Sequence, residues 1–289
     1  MAQAAAYLFF TSWYIPSVYI AYNAAAAFTK RFMETVGLIP AAGLGSRLDP
    51  IPCSKELFPV GFGLHPAHGE PHPKVVSQYL LEHMQRAGVR QVYMILRSGK
   101  WDIPAYYGDG SQLHLQLAYL MMQLPYGTPF TLDHAYEFVQ EKRVVFGFPD
   151  ILFSPDDAFS QLLKRLEETQ ADVVLGVFKV AYPHKWDMVE LDEEGKVKTI
   201  LQKPEKSELL YGWALACWNP SFTKFMHQHL QQVLERTDVE NQPFELSLGE
   251  VVQAAIYNGL TVQSVCFDNG NCLDVGTPED LRQAIKALT

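Results

Sequence analysis

The residues best suited to chemistry fall in two neighbouring stretches, Leu38-Ile39-Pro40-Ala41-Ala42-Gly43-Leu44-Gly45-Ser46-Arg47-Leu48 and Ser54-Lys55-Glu56-Leu57-Phe58-Pro59-Val60. Glycines directly after a buried apolar run let the backbone approach a ligand and let its amides face anionic oxygens. Arg47 contributes a planar fork that matches phosphate, and Lys55 a second cation on a stiff, Pro-bounded segment. That combination predicts a site for phosphate groups. The loop is not a dinucleotide fingerprint, because Arg47 and Leu48 stand where a third glycine belongs. Nor is it a Walker loop, because no Gly-Lys-Ser/Thr follows. Taken alone, the loop reads equally well as a tight connection, and Lys55 as a solvated surface lysine; their adjacency favours the phosphate contact.

Such a loop needs a strand before it and a sheet around it. Short β-branched runs alternate with amphipathic stretches of helix length, so the spacing predicts an α/β fold with a mixed, mostly parallel sheet and helices on both faces. Strands are expected over 36–40, 92–96, 113–121, 144–148, 173–180, 214–218 and 262–267. Helices are expected over 75–87, 156–169, 221–235, 248–258 and 278–288. In the first of these, Val76, Leu80, Leu81 and Met84 recur at helical spacing and Gly88 stops the run. Residues 188–200 alternate around an acidic, Gly-containing turn and predict a β-hairpin. No repeat or Pro/Gly linker divides 33–289, which is expected to form one domain.

The 289 residues, 48% of them hydrophobic and 19% charged, are enough to fill a sizeable core. A net charge of −9, from 32 acidic and 23 basic residues, argues against a nucleic-acid partner, and no Lys/Arg-rich run offsets it. Cys53, Cys217, Cys266 and Cys272 lack the two-residue spacing of a zinc ribbon or redox dithiol and read as small buried hydrophobes of a reduced, cytoplasmic protein. One passage stands apart. Residues 1–29 carry no charge, and 4–28 are long enough to span a bilayer, with Lys30 and Arg31 placed to leave the rest of the chain in the cytoplasm. Pro16 and Asn23 make this a poor span. An ordinary first strand soon after Met33 favours Met33 as the working start, with 1–32 as an apolar extension outside the fold.

In the order of its motifs the chain resembles the sugar nucleotidyltransferase family typified by glucose-1-phosphate thymidylyltransferases and UTP–glucose-1-phosphate uridylyltransferases. The match rests first on Ala41-Ala42-Gly43-Leu44-Gly45-Ser46-Arg47-Leu48-Asp49-Pro50 and Lys55-Glu56-Leu57-Phe58-Pro59-Val60. It continues through Ala87-Gly88-Val89, Tyr107-Gly108-Asp109-Gly110-Ser111 and Phe146-Gly147-Phe148-Pro149-Asp150. Gln202-Lys203-Pro204 and Leu273-Asp274-Val275-Gly276-Thr277-Pro278-Glu279 complete it, so the resemblance covers essentially everything after Met33.

The resemblance implies a single Rossmann-like domain of the nucleotide-diphospho-sugar transferase type and a Mg²⁺-dependent reaction. In that reaction a sugar 1-phosphate, glucose 1-phosphate or a relative of it, attacks the α-phosphorus of a nucleoside triphosphate, dTTP or UTP, and releases pyrophosphate. Arg47 and Lys55 would hold the triphosphate, Lys203 the sugar's phosphate, and Ala42, Gly43 and Gly45 the nucleotide. Gln123 and Gly127 would lie near the base, and Asp187 and Gly212 near the sugar. Asp150 and Asp274 are the implied metal ligands, each after a short apolar strand that would bring it to the C-terminal edge of one sheet. Two hard oxygen donors plus substrate phosphates suit Mg²⁺. A capping or turn role is the plain alternative for each aspartate, as an exposed Lys-Pro turn is for Lys203. The attacking phosphate is already anionic, so charge neutralisation and alignment, with no enzymic nucleophile or base, carry the catalysis.

Departures from the family bear on the substrate. Trp186-Asp187 stands where Tyr-Gly is usual, Gln202 where Glu is usual, and Pro149 where Gly is usual; Gln123 and Gly127 are one residue too close. An insertion over 61–73 carries His65, His68 and His72, whose uneven spacing reads as a solvated loop. Uridylyl, cytidylyl or guanylyl transfer to another phosphorylated sugar or alcohol is one competing reading. A non-catalytic sugar-nucleotide-binding or regulatory protein of the same fold is another, and a homo-oligomer is compatible with each.

Overall fold

The computed structural model describes residues 33–43, 45–48, 50–64, 69–123, 126–237 and 244–288. The chain divides into residues 1–34 and a compact unit from Thr35 to Thr289, which carries everything below. The expected apolar extension over 1–32 lies outside the described residues. Among those described, no helix is long and apolar enough to cross a membrane.

In chain order the elements are β1 (Thr35–Pro40), β2 (Pro59–Leu64), β3 (Pro71–Val75), α1 (Val76–Arg86), β4 (Gln91–Arg97), α2 (Asp102–Tyr107) and β5 (Gln116–Met122). There follow α3 (Thr128–Asp133), α4 (Tyr136–Val139), β6 (Arg143–Gly147), β7 (Ile151–Phe153), α5 (Ala158–Thr169), β8 (Val173–Lys179), β9 (Met188–Leu191) and β10 (Val197–Leu201). The chain ends with β11 (Tyr211–Trp218), α6 (Pro220–Arg236), α7 (Leu248–Tyr257), β12 (Val262–Phe267), β13 (Cys272–Asp274) and α8 (Pro278–Leu288).

The large sheet is mixed. Strands β5, β4, β1 and β6 run parallel in that spatial order, with Leu38 of β1 opposite Tyr93 of β4 and Phe146 of β6. Strand β11 enters antiparallel beside β6 and pairs on its other edge with β8, which is in turn parallel to β12. The first two residues of β11 also meet β9, which forms the expected hairpin with β10. Central strands buried on both faces read as continuous apolar runs, as in β1 and β4. The core is accordingly double. One layer joins Leu38, Phe146 and Trp218 to Phe222 of α6 and Val251 of α7, and the other joins Ile39 and Val145 to Leu80 of α1 and Leu162 of α5.

Three features differ from expectation. The two ends of the 61–73 insertion are paired: β2 and β3 form a two-stranded antiparallel ribbon in which Gly63 faces His72, whose Nδ1 lies 3.1 Å from the Gly63 carbonyl. His65 and His68 lie outside the described residues, and among those described no three or more His, Cys, Asp or Glu form a metal-binding group. Asp274 is not delivered by the large sheet; β13 pairs with β7 in a separate antiparallel ribbon. Cys266 is exposed rather than buried, although all four cysteines are free.

Candidate active site

Strand β1 stops at Pro40, and the Ala41 amide donates to the Ile95 carbonyl at 2.9 Å, tying the glycine loop to β4. Ala41 and Ala42 are buried and Gly43 is exposed, so the chain emerges from the sheet at that residue. Gly45 has φ +71°, a left-handed conformation that glycine adopts without the Cβ penalty. A Cβ on Gly45 would lie 3.5 Å from Lys55 Cδ, and one on Gly43 3.8 Å from Lys55 Nζ. The Lys55 side chain therefore runs along the loop.

The turn carrying Lys55 is pinned by residues that local patterning does not reveal. Asp102, at the start of α2, accepts from the Ser54 amide at 2.6 Å and from the Ser54 hydroxyl at 2.7 Å. Lys100 donates to both oxygens of Glu56 at 2.6 and 2.7 Å, and both residues are buried. The Ser77 hydroxyl of α1 donates to the Glu56 carbonyl at 2.6 Å. With Ser54 and Glu56 fixed, Lys55 between them has little freedom, and its ammonium pairs with Asp150.

Asp150 follows β6 through Phe148 and Pro149, and the Val275 amide donates to its carbonyl at 2.8 Å. In the β7–β13 ribbon Asp274 is paired with Ile151. Two aspartates separated by more than a hundred residues thus lie side by side through one short ribbon. A Cβ on Gly276 would lie 3.0 Å from both Asp274 oxygens and 3.1 Å from the Arg47 guanidinium, so this glycine admits both groups. Burial, and then the Asp150 carboxylate, push Asp274 up to about 6, against the pull of Lys55 and Arg47. Burial alone would depress Lys55, but the Asp150 carboxylate, with Glu56 and Asp274 behind it, reverses the sign and raises it. Two crowded carboxylates of this kind suit a divalent cation that takes its other ligands from phosphate and water, as Mg²⁺ does.

The cleft has two lobes that share Arg47, Thr128, Phe148, Asp150 and Glu245. Ala42, Gly43, Gly45, Lys55 and Gly127 line the first. Gly127 has φ +107°, and a Cβ there would strike the Leu246 carbonyl oxygen at 2.0 Å, so no other residue fits. Asp187, Lys203 and Asp274 line the second, together with Lys185, Trp186, Trp213 and the start of α7. Lys203 is exposed, yet its φ of +33° is unusual for a residue with a side chain, and such backbone strain gathers at functional sites. Burial pushes the Asp187 carboxyl up, with the charge of Lys203 opposing it.

Two expected residues are placed elsewhere. Gln123 is exposed at the end of β5 and is not among the residues lining either lobe. Gly212 is buried in β11 beneath Trp186, where a Cβ would lie 2.8 Å from Trp186 Cβ, so it acts through that side chain rather than on a ligand. Trp213, Lys185 and Glu245 escaped the sequence reading. For Trp213 the signal was the aromatic and apolar run from Tyr211 to Trp218, all of which lies in β11.

The sequence profile described as nucleotidyl transferase matches residues 36–289. A low-salt glycan biosynthesis nucleotidyltransferase from Haloferax volcanii is 24% identical over 252 residues, covering 86% of this chain and 64% of that protein. This chain therefore spans less than two thirds of that relative's length. A glucose-1-phosphate thymidylyltransferase from an Actinoplanes species is 28% identical over 252 residues, covering 86% of this chain and 76% of its own. Among solved structures, a UDP-glucose pyrophosphorylase from Acinetobacter baumanii superposes with a TM-score of 0.67 at 18% identity, covering 88% of this chain and 92% of the other, which is a likeness of fold.

Proposed function

The chain belongs to the nucleotidyl transferase family, and from that premise we propose that it couples a sugar 1-phosphate to a nucleoside triphosphate with release of pyrophosphate. One observation carries the reading: both lobes open on Arg47 and Asp150, with Lys55 and Asp274 beside them. The nucleotide occupies the glycine-loop lobe and the acceptor the Asp187 lobe, so their phosphates meet at that junction. An oxygen of the acceptor phosphate forms a bond to the α-phosphorus while the bond from that phosphorus to the bridging oxygen breaks, and its electron pair leaves with pyrophosphate. No proton has to move.

Arg47 and Lys55 neutralise the triphosphate and hold the α-phosphorus in line, and Lys203 holds the acceptor's phosphate. Asp150 and Asp274 would hold Mg²⁺, whose chemistry there is neutralisation of crowded phosphate oxygens. Relatives named as glucose-1-phosphate thymidylyltransferases make dTTP or UTP and a glucose 1-phosphate-like acceptor the first substrates to try. A reaction fed by nucleoside triphosphates fits a cytoplasmic setting. The test is pyrophosphate release with dTTP, UTP, CTP and GTP, each with a panel of sugar 1-phosphates and alcohol phosphates and Mg²⁺. Turnover of at least one pair is expected, whereas tight nucleotide binding with no pyrophosphate from any pair would leave a binding protein instead.

A further inference from the structure

We propose that the phosphorylated acceptor carries an ammonium group, and that Asp187, with the aromatic side chains of Trp186, Trp213 and Phe148, selects it. This rests on the second lobe being the acceptor's. Asp187 Oδ1 and the Trp213 indole nitrogen are both buried in the lobe wall and neither makes a well-aligned hydrogen bond, although the indole and the Lys203 amide lie near enough to the carboxyl to favour its charged form. A buried carboxylate with an unmade bond is costly unless a ligand completes it. Of the cations nearby, Lys203 reaches Asp187 by its charge without a salt bridge to it. Lys185 pairs with Asp280 at 2.8 Å, and in the proposed reaction Lys203 serves the acceptor's phosphate.

The surroundings are shaped for this carboxylate. Gly249 occupies the second position of α7, where a Cβ would lie 2.4 Å from Asp187 Oδ2. Glycine is a poor helix former, so its presence there is explained by the carboxylate it admits. Gly212 makes similar room beneath Trp186. Phe148 and Trp213 stand with ring centroids 6.2 Å apart at 47°, and Trp186 lines the same lobe. Aromatic walls joined to a carboxylate recognise an ammonium through its charge, by cation–π attraction and a charge-assisted contact. A neutral hydroxyl donates to Asp187 and accepts from the indole, but it brings no charge to offset that of the carboxylate.

The balance of charge in the lobe points the same way. Asp150, Asp187, Glu245 and Asp274 face Arg47, Lys185 and Lys203. With Asp150 and Asp274 engaged at the junction and Arg47 and Lys203 on phosphate, Asp187 and Glu245 remain for the body of the acceptor. The ammonium compound is either an amino-sugar 1-phosphate or the phosphate of an amino alcohol.

Calorimetric titration of the full chain distinguishes these, using glucose 1-phosphate, glucosamine 1-phosphate, N-acetylglucosamine 1-phosphate, phosphoethanolamine and phosphocholine. One ammonium ligand is expected to bind about tenfold or more tightly than its neutral counterpart, a preference worth ~1.4 kcal/mol, and Asp187→Asn is expected to abolish it. Tighter binding of glucosamine 1-phosphate assigns the sugar, and tighter binding of phosphoethanolamine or phosphocholine the amino alcohol. Equal or tighter binding of glucose 1-phosphate than of every ammonium ligand overturns the proposal, as does a preference that survives Asp187→Asn. Should that variant fold poorly, glucosamine against N-acetylglucosamine 1-phosphate, with both amino-alcohol phosphates measured against glucose 1-phosphate, decides the matter on the unmodified chain. Asp187-dependent ammonium binding without pyrophosphate release from any nucleotide would uphold this inference and refute the transferase reading.

Discussion

Replacing Asp274 by asparagine separates what the residue does for the fold from what it does for the reaction. Its carboxyl is displaced from 3.8 to about 6, by burial first and then by Asp150. A tenfold change in proton affinity is worth about 1.4 kcal/mol, so the displacement corresponds to about 3 kcal/mol at most, and to about 1–3 kcal/mol once neighbours relax. The native chain binds this proton more tightly than the unfolded chain does. The group therefore costs nothing below about pH 4, costs progressively more between about pH 4 and 6, and its full amount above that. Asparagine cannot ionise. In chelator-treated buffer at pH 8, the Asp274→Asn variant should resist urea better than the wild type by about 1–3 kcal/mol, and the gain should vanish near pH 4. With Mg²⁺ and substrates its turnover should fall by about a hundredfold or more. A variant that is less stable at pH 8, or that turns over normally, would refute the placement of Asp274 against Asp150.

Three further substitutions probe the parts around that centre. Lys55→Met removes the cation shared by Asp150 and the glycine loop, and should lower kcat by about 10²–10³ in steady-state assays; unchanged kcat would show that Lys55 only anchors the turn. Lys100→Met leaves the Glu56 carboxylate buried without its hydrogen-bonded cation, which should cost up to about 3–5 kcal/mol in urea melts at neutral pH, and a loss below ~1 kcal/mol would mean that the pair is hydrated in solution. Gly249→Ala puts a methyl group against Asp187 and should raise the acceptor KM several-fold with little change in the nucleotide KM. Helix propensity alone predicts a gain of about 1 kcal/mol, so a stabilised variant with unaltered acceptor KM would contradict that contact.

The elements that the sequence made legible are those fixed by local pattern. Continuous β-branched runs marked β1, β4 and β8, and 3.6-residue spacing with Gly88 behind it marked α1. The glycine loop, Arg47 and Lys55 were legible because the chemistry of phosphate dictates residue types in a short stretch. What escaped depends on partners far along the chain. The three-residue strands β7 and β13 are too short to carry a period, and nothing local announces that Asp274 will pair beside Ile151. Gly61, Gly63, Pro71 and Pro73 are depleted types in strands, so the β2–β3 ribbon read as a loop. Proline is tolerated there because the ribbon has only two strands, and an unpaired edge needs no donor. Helix α2 contains Pro104 and spans six residues, below what amphipathic spacing can show, although its Asp102 pins the turn that presents Lys55. Gln123 illustrates the opposite risk, since a residue carried over by motif order alone lies outside both lobes.

In the proposed reaction the two lobes hold the two halves of one product and meet at Arg47, Lys55, Asp150 and Asp274. A crystal of the full chain grown with the sugar nucleotide formed in the turnover assay and with Mn²⁺, located by its anomalous scattering, tests this directly. The nucleoside is expected beside Gly43 and Gly127, the acceptor half beside Asp187 and Trp213, and the manganese between Asp150 and Asp274 against the diphosphate. A nucleotide bound outside the glycine-loop lobe, or manganese held away from both aspartates, would contradict that arrangement.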